Sequence, residues 1–288
     1  MTDWVRIAQF HSALDLSLLQ ERLADHRIDH RITLEGDAQV LWVAGSDRLD
    51  ETTALVREVA VRLPSRVPLQ PGPVSILQRS PVMALALLLS IVGAALVHWQ
   101  FQWVHWFTFQ DFSIVRGMGP DGQVGLRAEL GSFAEAWGRG EYWRLLTPMF
   151  LHFGVFHIAF NGLWLWEFGR RIEAAAGSMH LLMLILVTGA VSNWGQYYFE
   201  GPSLFGGMSG VLYALLGYLW IRHWLAPDPA LALPRGIIVF MLAWLLLCLF
   251  GIVDLFMRGS IANAAHVSGL VVGMALGAVF GLANRRRG

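Results

Sequence analysis

There is no lysine in this 288-residue chain, so all 21 cationic residues are arginine. Cysteine is almost as scarce: Cys248 stands alone in an apolar run, where it reads as a soft core residue. One thiol makes neither an internal disulfide nor a cysteine metal site. Charge is sparse and balanced, with 21 acidic residues, a net charge of +0 and 15% charged residues altogether. That leaves no basic field to draw in nucleic acid. The zinc-protease motif H-E-x-x-H is absent, and the five-residue spacing of His152 and His157 splits them across helix faces. No metal and no other cofactor is therefore expected. Soluble-protein composition is also missing: the chain is 55% hydrophobic with 13 tryptophans and a mean hydropathy of +0.50, too apolar for an ordinary soluble domain. The opening Met1-Thr2-Asp3-Trp4 lacks the basic start and apolar core of a cleaved signal peptide, and none is expected.

Residues 1–63 nevertheless pattern as a small soluble α+β domain. Val5 to Phe10 reads as a strand, and Leu14 to His26 as an amphipathic helix with Leu16, Leu18, Leu19 and Leu23 inward. Ile32 to Leu34 and Val40 to Val43 read as strands around the turn Glu35-Gly36-Asp37. Asp47 to Leu63 reads as a second helix capped by Ser46 or Asp47. No catalytic set of residue types occurs here, and His11, His26 and His30 read as solvated. Pro64, Pro68, Pro71 and Pro73 then mark a linker over 64–80.

From 81 to 288 the pattern is membrane-embedded. Apolar runs at 82–98, 151–169, 179–199, 209–224, 235–256 and 265–283 predict six spans. Trp99, Phe101, Trp103, Trp106 and Phe107 form an aromatic belt at one interface. The loop 108–148 mixes charge with aromatics and reads as lying in the interface. Arg66, Arg79, Arg170, Arg171, Arg222, Arg235 and Arg285 to Arg287 fall on one side if the spans alternate. By the positive-inside rule that side is the cytoplasm, with both termini inside and Ser209 opening to the outer face. The lipid bilayer is the first partner implied.

The stretch Gly206-Gly207-Met208-Ser209-Gly210 opens the fourth span. Gly201 and Pro202 just before it cannot continue a helix, so Ser209 falls in the first helical turn. From Ser209 to Arg222 the helix covers about 20 Å at the usual rise, against a hydrocarbon core of about 30 Å. With Arg222 at one surface, Ser209 lies roughly 10 Å below the other. Irregular backbone at that depth must line a cavity or be buried in protein.

Two more polar groups interrupt apolar helices. His157 and Asn161 are four apart and share a helical face. His266 opens the sixth span, and beyond it Gly269, Gly273 and Gly277 leave a smooth face for close packing. That face complements Gly210, Ala214 and Gly217 on the fourth span, and packing them together brings His266 toward Ser209. Singly, each group reads as an ordinary helix contact; four at one depth read as a site. Ser209 is then a nucleophile with His266 as its base. His157, Asn161 and the Ser209 amide suit an oxyanion. Tyr213, one turn after Ser209, packs on His266 as orienter, with no carboxylate near in sequence. His152 reads either as a fifth member of the site or as merely interfacial, with the second preferred, and Arg170 with Glu173 as a surface pair.

Gly207-Met208-Ser209-Gly210, the His157/Asn161 pair, Trp143-Arg144 and Ala265-His266-x-x-Gly269 together resemble the rhomboid intramembrane serine proteases. The six spans, the long first loop and the small cytosolic domain are similar to bacterial members. The resemblance implies an all-α polytopic membrane protein, a six-helix rhomboid-like bundle after an α+β cytosolic domain, in the bacterial inner membrane. It implies an intramembrane serine endopeptidase that cleaves single-span membrane proteins near their outer, periplasmic ends through a Ser209–His266 dyad. In the same terms His157, Asn161 and the Ser209 amide form the oxyanion hole, with Gly207, Tyr213 and Gly269 supporting the site. The Trp143-Arg144 pair is structural, and the fifth span with Met257 to Asn263 gates substrate entry. The alternatives are a non-catalytic rhomboid-like protein that binds transmembrane helices, or a small-molecule transporter. The first ordinarily lacks Ser209 or His266, and the second predicts internal repeats that the sequence does not contain. A soluble α/β-hydrolase is excluded, since Val211 stands where G-x-S-x-G needs its second glycine.

Overall fold

A computed structural model describes residues 4–11, 14–35, 38–45, 47–62, 79–118, 124–253 and 261–285. The prolines at 64, 68, 71 and 73, the proposed cap Ser46, the turn residues Gly36 and Asp37, Met257 to Ser260 of the proposed gate, and Arg286 and Arg287 lie outside them. The chain divides into two compact units, Met1–Pro71 and Gly72–Gly288.

The first unit runs β1 (Trp4–His11), α1 (Ser17–Asp25), β2 (His30–Glu35), β3 (Ala38–Ala44) and α2 (Leu49–Arg62). Its antiparallel sheet has the order β1-β3-β2. Leu19, Leu23, Ile28, Leu41, Val43, Leu55 and Val59 form its core. Leu18 is the exception to the inward leucines, at 37% exposed. Leu16, Leu19 and Leu23 keep a helical spacing that leaves Leu18 on the other side.

The second unit carries α3 (Pro81–Trp99), the short α4 (Phe133–Gly138), α5 (Val155–Ala176), α6 (Ser178–Glu200), α7 (Ser209–Leu225), α8 (Arg235–Leu249) and α9 (Asn263–Arg285). The first loop is not featureless. It forms a hairpin of β4 (Phe112–Met118) on β5 (Val124–Leu130), then α4, then two 3-10 turns. Buried Arg144 anchors it: Nε donates to Glu141 at 2.6 Å, and Nη1 donates to the carbonyls of His105 and Thr108. Hydrogen bonds from Arg139 and then Arg144 hold the Glu141 carboxyl down at about 2, against the upward push of burial. Trp143 adds a bond from its indole to the Trp106 carbonyl.

Among the described residues four stretches have the length and apolarity of membrane spans: Pro81–Trp99, Ser178–Glu200, Pro229–Leu249 and Asn263–Arg285. The other two long helices differ for visible reasons. α7 has 17 residues, while α5 carries Glu167, Arg170, Arg171 and Glu173 in its second half. α5 starts at Val155 rather than 151 and runs on to Ala176, where Gly177 takes a φ of +89°. α8 stops at Leu249, short of the expected 256. Gly251 at φ +70° closes it, with Gly251 N–H on the Cys248 carbonyl and Ile252 N–H on that of Leu247.

Arg170 and Glu173 do not pair. Arg170 and Arg171 both reach Glu167. Glu173 is buried and its two oxygens accept from Val82 N–H and Met83 N–H, each at 2.9 Å. With Pro81 lacking an amide and Ala84 N–H on the Ser80 carbonyl, every early donor of α3 is accounted for.

The tightest packing is α7 on α9. A Cβ on Gly269 would collide with the Gly210 carbonyl, and one on Gly273 with the backbone of Ala214. Gly277 faces Tyr218, and Gly217 faces Leu270 and Met274. Around this pair the core gathers Met83, Met149, Leu165, Phe168, Leu184, Leu212 and Leu216.

Two stability changes follow. Glu173→Ala should cost about 2 kcal/mol, the scale of charge-assisted hydrogen bonds to buried amides. An unchanged unfolding midpoint in detergent would contradict the cap. Gly273→Ala should cost about 1–3 kcal/mol by overpacking, while Gly236→Ala, with nothing within 4 Å of the added carbon, should leave the midpoint level or higher. Equal midpoints for the two would refute the backbone contact.

Candidate active site

Ser209 is the first residue of α7. The preceding chain is held by Gly207 N–H on the Pro148 carbonyl, and Gly207 takes a φ of +112°. That left-handed region suits glycine, and the space above Gly207 demands it too. A Cβ there would lie 2.5 Å from His157 Nε2 and 3.5 Å from Asn161 Nδ2.

His266 comes from the first turn of α9, one turn before Gly269. Because Gly269 lets that backbone meet Gly210, His266 Nε2 sits 2.7 Å from Ser209 Oγ. If the hydroxyl donates, Nε2 is the bare nitrogen and Nδ1 carries the ring proton. Among the described residues Nδ1 is buried with no hydrogen-bond partner, so none of their carboxylates orients this ring through it. Tyr213 lies against the ring instead, centroids 4.9 Å apart at 41°. The Tyr213 hydroxyl is itself fixed by the Met241 carbonyl of α8 at 3.1 Å.

His157 and Asn161 project from the first two turns of α5. Asn161 is 5% exposed and its Nδ2 is a buried donor without a partner. Such a group is costly unless something arrives to accept its proton. The N-terminus of α7 has no side-chain cap either, since Met208 stands at that position. Unpaired amides and the helix dipole there favour negative charge. A small cavity beside Ser209 is lined by Met149, Ser192, Phe205, Gly207, Gly210 and Ala265.

The structure thus brings Ser209, His266, Tyr213, His157, Asn161, Gly207 and Gly269 into one neighbourhood. It also corrects one reading of the sequence and adds two residues that the sequence alone did not mark. His152 is not interfacial but 1% exposed, its Nδ1 at 2.9 Å from the Phe150 carbonyl and its ring edge-on to His157 at 5.0 Å. A histidine two residues before Gly154 is bent back into the protein by the loop, which no helical spacing reveals. Gln196 and Glu200, at the end of α6, accept from Ala265 N–H and Ala264 N–H at the start of α9. Their one signal is polarity at the end of an apolar run.

Comparison with known proteins agrees with this architecture. The family model described as "Rhomboid domain" matches residues 139–283, and that described as "Rhomboid N-terminal domain" matches residues 2–65. Proteins named rhomboid protease GlpG from Yersinia pestis (strain Pestoides F) and Yersinia pseudotuberculosis serotype O:3 (strain YPIII) are 46% identical over 134 residues. The corresponding protein of Yersinia enterocolitica serotype O:8 / biotype 1B is 45% identical over the same length. The matched stretch spans about half the length of these curated relatives, 46% of each and 46% of this chain. With the rhomboid model covering half of its residues, and its helices packed as described, this chain belongs to the rhomboid family of multi-pass membrane proteins.

Proposed function

We propose that this chain is an intramembrane serine endopeptidase. It cleaves single-span transmembrane proteins near their outer ends, with Ser209 as nucleophile and His266 as general base. The observation that carries this reading is the 2.7 Å approach of His266 Nε2 to Ser209 Oγ beneath an uncapped helix N-terminus.

The chemistry follows from the geometry. As Ser209 Oγ attacks the scissile carbonyl carbon, its proton passes to His266 Nε2. The carbonyl oxygen becomes an oxyanion and takes donors from Asn161 Nδ2, His157 and the Ser209 amide. These donors gain most as charge develops, so they favour the transition state over bound substrate. Collapse returns the proton from Nε2 to the leaving amine. Water then attacks the acyl group with the same histidine as base, restoring Ser209.

Substrate is a second transmembrane helix, arriving from within the bilayer. Of α8 only Met241, Leu245 and Cys248 are buried. It leans on α5 through Phe160 on Trp244 (5.9 Å, 15°) and Trp164 on Phe240 (5.9 Å). So lightly held a helix suits a gate. The proposed setting is the bacterial inner membrane with both termini cytoplasmic and the site opening outward. The soluble unit and the 64–80 linker are proposed to take no part in the catalytic chemistry.

The test is cleavage of a model single-span substrate by purified protein in proteoliposomes. Ser209→Ala should leave no turnover. Loss of one oxyanion donor typically costs 10²–10³-fold in rate, so Asn161→Ala should retain about 0.1–1% of kcat with little change in KM. The His157/Asn161 double variant should fall short of the product of the single effects, because the donors act as a unit. Wild-type turnover by Ser209→Ala would overturn the reading. Normal kcat with a lowered melting temperature in Asn161→Ala would reassign Asn161 to holding helices together.

A further inference from the structure

Two of the helix N-termini at the site, those of α7 and α9, are finished in opposite ways. α7 begins at Ser209 with no side-chain cap. α9, which carries His266, has its early donors occupied. Asn263 N–H bonds to the Ile261 carbonyl, Ala264 N–H to Glu200 Oε1 at 2.9 Å, Ala265 N–H to Gln196 Oε1 at 3.1 Å, and His266 N–H to the Ala262 carbonyl. Gln196 is buried, and its Nε2 donates to Glu200 Oε2 at 2.7 Å, locking the carboxylate over the helix end. Among the described residues no ion pair engages Glu200, so its charge is directed to these amides.

That charge matters for the base. The positive end of a helix disfavours a cation in its first turns and favours an anion beside it. His266 is the fourth residue of α9, and it becomes an imidazolium each time it takes the Ser209 proton. Its Nδ1 meets no carboxylate among the described residues. An anion placed on the helix end offsets the unfavourable dipole at the moment the imidazolium forms. At α7, where the charge to be stabilised is negative, the dipole is left uncovered.

We infer that Glu200 is a positioning residue for the reaction. It fixes the first turn of α9 and supplies, through the helix end, the negative charge that stabilises His266 as an imidazolium. This rests on the proposed Ser209–His266 chemistry and names the group that serves in place of a directly bonded carboxylate.

The experiment compares wild type with Glu200→Gln and Glu200→Ala in the proteoliposome cleavage assay, at about 0.05 M and about 1 M salt. Glu200→Gln keeps the length of the side chain and an acceptor for Ala264 N–H while removing the charge. It should lower kcat about two- to fivefold, the scale of a helix-end charge, and leave KM in place, since the imidazolium exists only along the reaction. The deficit should shrink at high salt, where screening shortens the reach of an exposed carboxylate. Glu200→Ala should add a loss of thermal stability that Glu200→Gln largely avoids. Unchanged kcat in Glu200→Gln, or a deficit identical at both salt concentrations, would overturn the electrostatic role. If the wild-type protein cuts no substrate, the parent reading fails with it; if wild type cuts and Glu200→Gln matches it, this inference fails alone.

Discussion

The approach of α7 to α9 is the contact on which the site depends. Two helices ordinarily keep their backbones apart by the width of their side chains. Here Gly269, Gly273 and Gly277 let the backbone of α9 reach the carbonyls and α-carbons of Gly210, Ala214 and Tyr218. In lipid there is no hydrophobic reward for bringing helices together, so close van der Waals contact must supply the attraction. The same contact determines the reach of the His266 side chain, since one methyl group between the backbones would separate Nε2 from Ser209 Oγ. Packing and chemistry are therefore one constraint. The rest of the bundle serves that pair, down to the Glu173 carboxylate that closes the start of α3.

Charge is placed with equal economy. A membrane interior penalises bare charges and unpaired donors. Several buried polar groups are accordingly paired: Arg144 with Glu141 and two carbonyls, Asn193 Nδ2 with the Leu145 carbonyl, Thr188 and Ser192 with the carbonyls one turn back. Among the described residues, the buried atoms without a partner include Asn161 Nδ2 and His266 Nδ1 near Ser209, and others at Gln110, Arg144, Thr147 and Arg170. An unsatisfied donor beside the proposed nucleophile has a use that an unsatisfied donor elsewhere lacks.

Much of this could be read from residues alone, and the reasons are specific. The helices bearing the site were legible because apolar runs register directly in composition, and Gly201-Pro202 set the start of α7. The α9 glycines recur every four residues, which named the contact face without coordinates. Less was visible where partners are distant in sequence. Glu200 meets Ala264 64 residues later, and Glu173 meets Met83 90 residues earlier; neither spacing leaves a periodic trace. The first loop hid its hairpin because Val124 and Leu126 remain exposed, so its strands lack a clean inward alternation. Leu18 misled because four leucines within eight residues exceed what one helix face can bury.

The central claim is that the backbone contact between α7 and α9 turns Ser209 into an activated nucleophile through His266. Mapping the adduct of a small fluorophosphonate by peptide mass spectrometry on the solubilised full chain addresses it without any assumption about substrate. The account predicts modification at Ser209 alone, and its loss in His266→Ala protein that retains its helical content and unfolding cooperativity. Modification of a different serine, or labelling of His266→Ala at the wild-type rate, would contradict it.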